Sequence, residues 1–135
     1  MKKDAPFFNF FVSIYSESYL EHVENSVSTM MNSSSLSYWN WIDTFYMAAP
    51  VFTKMYEITG DEKYLDKMYN LIKYTAETLN CYDEEVGLWF RDASFINMIS
   101  SNGKHVYWSR GDGWAQSSNV RNIWFSLCEM GVYAK

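Results

Sequence analysis

The chain has 135 residues, 48% hydrophobic and 19% aromatic, with 11 basic and 16 acidic side chains and a formal net charge of -5. That much core-forming material in one domain's length predicts a single folded unit, residues 1–135, and excludes a disordered chain. The acidic balance and the lack of a Lys/Arg cluster exclude nucleic acid as a partner, and no apolar run approaches the roughly 20 residues that cross a bilayer.

The opening "MKKDAPFFNFFVSIYSES" has a basic start and an apolar stretch. Asp4 interrupts it and no small-residue cleavage site follows, so the expectation is no signal peptide and a cytoplasmic default; a start further upstream would allow the periplasm. A helix is predicted from about Ser16 to Met31, followed by the loop "NSSSLS". Next, Ile42, Phe45, Ala49, Phe52, Tyr56 and Ile58 trace a helical stripe. Pro50 lacks a backbone donor and should bend that helix or delay its start. Gly60 should end it, and Asp61 should cap the next helix, 61–79, where Leu65, Met68, Ile72, Ala76 and Leu79 recur at steps of three and four. The two would form a hairpin joined at "ITGD". From 81 to 110 the pattern changes to short extended pieces and loops, with a turn at Asn102-Gly103. A last helix is expected from about Trp114 to Met130 through Val120, Trp124 and Leu127. Cys81 and Cys128 fit no CxxC pattern and read as two buried thiols. His22 and His105 lack metal-ligand spacing, so neither a metal nor a cofactor is implied.

Two aromatic-rich stretches carry the candidate chemistry. In "WNWIDTFYM", Asp43 is a lone acid among Trp39, Trp41, Phe45 and Tyr46; in "VYWSRGDGW", Trp108, Arg110, Asp112 and Trp114 surround Gly111 and Gly113. Trp faces suit the apolar C–H faces of sugar rings, which makes Trp41, Trp108 and Trp114 candidates for stacking. Arg110 offers a planar fork that matches a carboxylate, while the glycines would let backbone approach a ligand or adopt positive φ. Read from residues alone, Asp43 is most simply a helix N-cap, and Arg110 has a structural alternative as the partner of Asp112 or Asp92. Asp92 is either a binder of a sugar hydroxyl or a turn cap. Together the residue types point to a small acidic sugar.

At these residues the chain resembles a known family. "WIDTFYMAAPVFTKMYEITGDEKYLD", "GLWFRDAS" and "GKHVYWSRGDGWA" are similar to glycoside hydrolase family 105, the unsaturated rhamnogalacturonyl hydrolases, related to the unsaturated glucuronyl hydrolases of family 88, over about residues 38–116. The resemblance implies an all-α (α/α)6 toroid with the active site at one mouth of the ring. It also implies that Asp43 is the acid that starts the reaction and that Trp108 and Arg110 hold the substrate's uronate. The reaction is the hydration of an unsaturated uronide left by pectin or glycosaminoglycan lyases. An acid protonates C4 of the C4=C5 bond, charge develops on C5 and the ring oxygen, water adds at C5, and the hemiketal opens to release the neighbouring sugar. One acid suffices for the first step, unlike the two of ordinary glycoside hydrolysis. Aromatic rings around Asp43 would disfavour its charged form and keep the proton in place.

Two positions depart from the family pattern. Many members have a histidine in the block that here reads "GLWFRDAS", where Arg91 and Asp92 stand as candidate substrate contacts; and the usual "RGNGW" reads "RGDGW", so that Asp112 would compete for the Arg110 guanidinium. Twelve helices of about 11 residues with connections of about 4 to 6 need roughly 190 residues. The chain is therefore expected to form part of a ring. The family's second carboxylate, from an earlier block, has no counterpart here. The other class of function is a non-catalytic remnant that binds acidic sugar or self-associates through uncovered apolar helix faces.

Overall fold

The computed structural model describes residues 17–118. Its first helix, α1 (Glu17–Asn32), lies within a residue of the predicted bounds. The serine loop after it is fastened to the body of the protein by Lys67, whose ammonium donates to the Ser33 carbonyl at 2.7 Å. A 3₁₀ turn (Ser37–Trp39) then leads into the aromatic stretch.

The predicted helix around Pro50 is two helices, α2 (Asp43–Met47) and α3 (Ala49–Thr59), with the proline in the first turn of the second. Proline fits there because first-turn N–H groups have no intrahelical partner. Gly60 closes α3 in the left-handed region at φ 70°, its N–H reaching the Tyr56 carbonyl at 2.7 Å. This is the conformation for which a residue without Cβ is preferred. One residue on, the Asp61 carboxylate accepts the Lys63 N–H at 3.1 Å and opens α4 (Lys63–Lys73). Helices α3 and α4 pack as the expected hairpin.

Beyond Lys73 the predicted helix continues in a different form, a π turn over Tyr74–Thr78. Thr75 explains the change: it is fully buried, and its hydroxyl reaches the Trp39 carbonyl as well as that of Leu71 at 3.2 Å. A π turn widens the helix by one residue.

Residues 81–107 are short extended pieces, as predicted. Strands β1 (Tyr82–Asp83) and β2 (Leu88–Trp89) pair antiparallel, Tyr82 opposite Trp89 and Asp83 opposite Leu88. A second turn brings Ile99 opposite His105, with Gly103 at φ 76°. The last described helix, α5, spans 109–118 and so begins about five residues before the predicted start. Its predicted continuation to Met130, Cys128 and the opening segment lie outside the described residues. The core gathers Trp39, Ile42, Phe45, Ala49, Phe52, Met68, Leu71, Cys81, Trp89 and Ala115. Burial pushes the Cys81 thiol up to about 11, helped by the nearby Asp92 charge.

Candidate functional site

The early start of α5 changes the setting of the glycine motif. Arg110, Gly111, Asp112 and Trp114 occupy its first turns rather than a free loop. Neither Gly111 nor Gly113 has positive φ, so of the two reasons expected for the glycines the positive-φ one does not hold. Gly111 is required for a different reason. A Cβ there would lie 2.4 Å from Cε3 of Trp108 and 3.0 Å from Cδ1 of Ile42. The bare backbone lets the Trp108 ring lie against the helix, beside the residue that precedes Asp43.

Asp112 does not compete for Arg110. Its side chain turns inward, only 4% exposed, and Oδ1 accepts the Trp89 backbone N–H at 2.6 Å. Oδ2 is buried with no hydrogen-bond partner among the described residues. Burial therefore raises this carboxyl above the usual aspartate range, against the opposing pull of the Trp89 N–H. The ring of Trp89 meets Phe45 edge-on at 5.0 Å, so the bond joins α5 to the helix that carries Asp43.

Asp43 is the first residue of α2, not its N-cap: Ile42 takes that place, without a side-chain capping bond. The carboxyl-bearing residue is half-buried. The four aromatic residues expected to enclose it divide into two pairs. Trp39 and Phe45 are in the core, while Trp41 and Tyr46 are 43% and 46% exposed. Trp39, Ile42, Phe45 and Ala49 face the core, whereas Trp41 and Tyr46 face out.

Each outward residue meets an arginine-bearing group. Trp41 stacks on Arg91, whose guanidinium carbon lies 4.4 Å from its ring and 4.0 Å from that of Phe95. Tyr46 stacks on Trp114 at 6.1 Å with 20° between planes. Trp114 meets Trp108 edge-on at 5.4 Å, and Arg110 lies 5.4 and 5.5 Å from those two rings. Asp43 thus stands two residues after Trp41 and three before Tyr46, the residues that reach two aromatic beds, each holding a guanidinium. The bond from the Ile42 N–H to the Arg91 carbonyl, 3.1 Å, ties the two strands of this rim together.

The two arginines differ in partners. Arg110 is exposed and makes no ion pair among the described residues, so neither structural pairing foreseen for it forms. Arg91 donates from Nε to Asp92 at 2.7 Å. Asp92 is a turn cap: it accepts the Ser94 N–H at 2.8 Å and the Ser94 hydroxyl, opening a 3₁₀ turn (Ala93–Phe95). Burial alone would push its carboxyl up, but the bonds from Ser94 and Arg91 outweigh that and hold it below the usual range.

One supporting bond was not anticipated from the sequence. Tyr107 donates to Asp83 at 2.6 Å and stacks on Phe90, which fixes the chain just before Trp108. The bond pushes the Tyr107 hydroxyl up to about 12 and holds Asp83 low. The spacing of 24 residues between the partners leaves no local signal to find it by. No cluster of three or more His, Cys, Asp or Glu suited to a metal occurs among the described residues, and no described helix is long and apolar enough to cross a membrane.

Comparison with known proteins bears directly on this geometry. The sequence model of glycosyl hydrolase family 88 matches residues 12–123. A curated relative, the unsaturated 3S-rhamnoglycuronyl hydrolase of Alteromonas sp. (strain LOR), is 37% identical over 76 residues, which is 56% of this chain and 18% of that protein. Among solved structures, a glycosyl hydrolase family 88 protein from Bacteroides vulgatus superposes with a TM-score of 0.73 at 34% identity, over 84% of this chain and 33% of its own. A protein described as a polysaccharide lyase gives 0.71 at 31%, over 83% and 32%. The chain thus spans about a third of these solved structures, and its helices form part of an α/α toroid.

Proposed function

The chain belongs to glycosyl hydrolase family 88, and from that premise we propose that it takes part in hydrolysing unsaturated uronides at the non-reducing end of lyase-generated oligosaccharides. The observation that supports this most is that half-buried Asp43 lies in the short segment whose Trp41 and Tyr46 reach two aromatic beds, each carrying a guanidinium. In this reading Arg110 pairs with the uronate carboxylate through two in-plane N–H groups, and Trp108 and Trp114 cover the apolar face of the sugar. Asp43 delivers a proton to C4. Water adds at C5, and the hemiketal opens to release the next sugar. Arg110 suits the part because no acidic side chain among the described residues has claimed its fork.

The test is loss of the ultraviolet absorbance of the conjugated double bond when the full chain meets an unsaturated disaccharide. Wild type is expected to turn it over, and Asp43→Asn to lose that activity by about 100-fold or more, the scale of positioned acid catalysis. Binding without turnover in a folded sample would leave the chain as an acidic-sugar binder. Equal activity in Asp43→Asn would remove the acid from position 43. Self-association belongs to the same proposal: Met47 and Tyr69 are each 61% exposed, and sedimentation of the full chain reports whether copies cover such faces.

A further inference from the structure

The proposed reaction gives parts to Trp108, Arg110 and Trp114 of the glycine motif and leaves Asp112 without one. Yet Asp112 is tied on both sides. Its backbone N–H bonds to the Trp108 carbonyl at 2.9 Å, and its Oδ1 accepts the Trp89 N–H at 2.6 Å, so one residue links Trp108 to strand β2. Its neighbour Gly111 is packed so closely that a Cβ there would run into the Trp108 ring and reach Ile42 at 3.0 Å. The far end of α5 is pinned separately, by the Ser118 hydroxyl donating to the Phe45 carbonyl. Asp112 therefore supplies the side-chain bond that holds the first turn of α5, and Arg110 with it, to β2.

Oδ2 of the same carboxyl is buried with no hydrogen-bond partner among the described residues. A neutral carboxyl bears such an orphan oxygen at modest cost, a charged one at far greater cost. Building on the uronide reading, we propose that Asp112 is a positioning residue: as a neutral carboxyl it holds Trp108 and Arg110 in the pose that meets the uronate, and on losing its proton to solvent it turns outward and releases that pose. Turning outward gives up the Trp89 N–H and draws Gly111 off the Trp108 ring, while Ser118 keeps the helix docked. Burial favours the neutral form, against the pull of the Trp89 N–H. On the elements packed against it, Cys81 before β1 has its thiol pushed up to about 11 by burial, and Asp83 is held low by its bond from Tyr107. Tyr107 is pushed up to about 12, first by its bond to Asp83 and further by charges that include Asp112 itself. Beyond β2, Arg91 and Asp92 are paired with each other, α2 carries Asp43, and α5 itself carries Arg110.

The experiment compares the full wild-type chain with Asp112→Asn from about pH 4.5, just above an ordinary aspartate, to about pH 8. The amide keeps an oxygen for the Trp89 N–H and carries no charge. Near-ultraviolet circular dichroism reports the tryptophan rings, among them the edge-on pair Trp108 and Trp114, and calorimetric titration with an unsaturated disaccharide reports the site. In wild type the spectrum should step as pH rises through the Asp112 value while the far-ultraviolet helix signal stays, and affinity should fall by about tenfold as the competent fraction shrinks. Asp112→Asn should lack the step and, at about pH 8, bind about tenfold more tightly than wild type. Asp43 and the ligand's own carboxylate are common to both proteins, so the difference belongs to position 112. A role in stability alone would give the variant no such gain. Should Asp112→Asn not fold, wild type decides: the ¹³C carboxyl resonance of Asp112 and the indole ¹⁵N resonances of Trp108 and Trp114 should titrate with one midpoint, and separate midpoints or still indoles overturn the proposal. A flat wild-type spectrum, the same step in both proteins, or equal affinity at the upper pH also overturns it, and disaccharide binding in those samples leaves the uronide reading standing. A step confined to wild type, with no disaccharide binding by either protein at any pH, overturns the uronide reading and leaves the hold of Asp112 on the turn.

Discussion

Residues 39 to 52 have two faces with different duties. The inward face, Trp39, Ile42, Phe45, Ala49 and Phe52, is closed to solvent and packs ring against ring, as where Phe52 meets Trp39 edge-on at 5.5 Å. The outward face, Trp41 and Tyr46, is open by more than two-fifths and meets Arg91 and Trp114. Aromatic abundance around one acid therefore does not mean one aromatic enclosure. Half of the rings set where the helix lies, and half furnish a surface on which a flat ligand can rest.

The sharpest way to break this division is to remove an inner ring. Phe52→Ala should cost about 3–5 kcal/mol of folding stability, the range for truncating a buried aromatic side chain, as read by denaturant unfolding. A cost near zero would mean that the inward face is not the core. Next in size is Gly111→Ala, which forces a methyl into the space of the Trp108 ring. Overpacking of this kind should cost about 1–3 kcal/mol and weaken sugar binding through a displaced Trp108, a coupling of core to rim that titration of the variant would reveal.

Asp112→Asn probes the join between the faces. Burial raises the folded carboxyl, so the stability linked to it is fully present below the value of an unfolded aspartate and is lost as pH rises through the elevated folded value. The amide keeps an oxygen for the Trp89 N–H and carries no charge. The variant should be more stable than wild type at neutral pH and should lack that fall, which unfolding curves across mildly acidic pH would show. Smallest is Trp41→Ala. Its stability should stay within about 0.5 kcal/mol of wild type, while sugar affinity falls; a large loss of stability would place Trp41 among the inner residues.

Much of this was legible because it is local. The helical stripes, the break at Pro50, the stop at Gly60 and the cap at Asp61 each follow from residues within one or two turns. The family was legible too, since the blocks around Asp43, Arg91 and Arg110 keep their order, although the matching model is that of family 88 rather than the related family 105. What could not be read depended on partners far along the chain. The early start of α5 is bound up with the inward turn of Asp112 toward Trp89, 23 residues away. A charged side chain next to Arg110 in sequence reads as its rival until the fold gives it another partner. The π turn likewise answers to the Trp39 carbonyl, 36 residues from Thr75. The division of Trp39, in the core, from Trp41, at the rim, was not legible from two tryptophans spaced two apart.

That π turn also sets a rule about length. With one residue more than a regular helix would place there, the chain leaves Thr78 rotated by about 100° from the direction an α-helix would give it, and in that direction Cys81 enters the core and the hairpin begins. Shortening 74–78 by a single residue would thus re-aim everything downstream, Arg91 and Arg110 of the rim included. In this stretch the count of residues matters to the fold alongside the hydroxyl of Thr75.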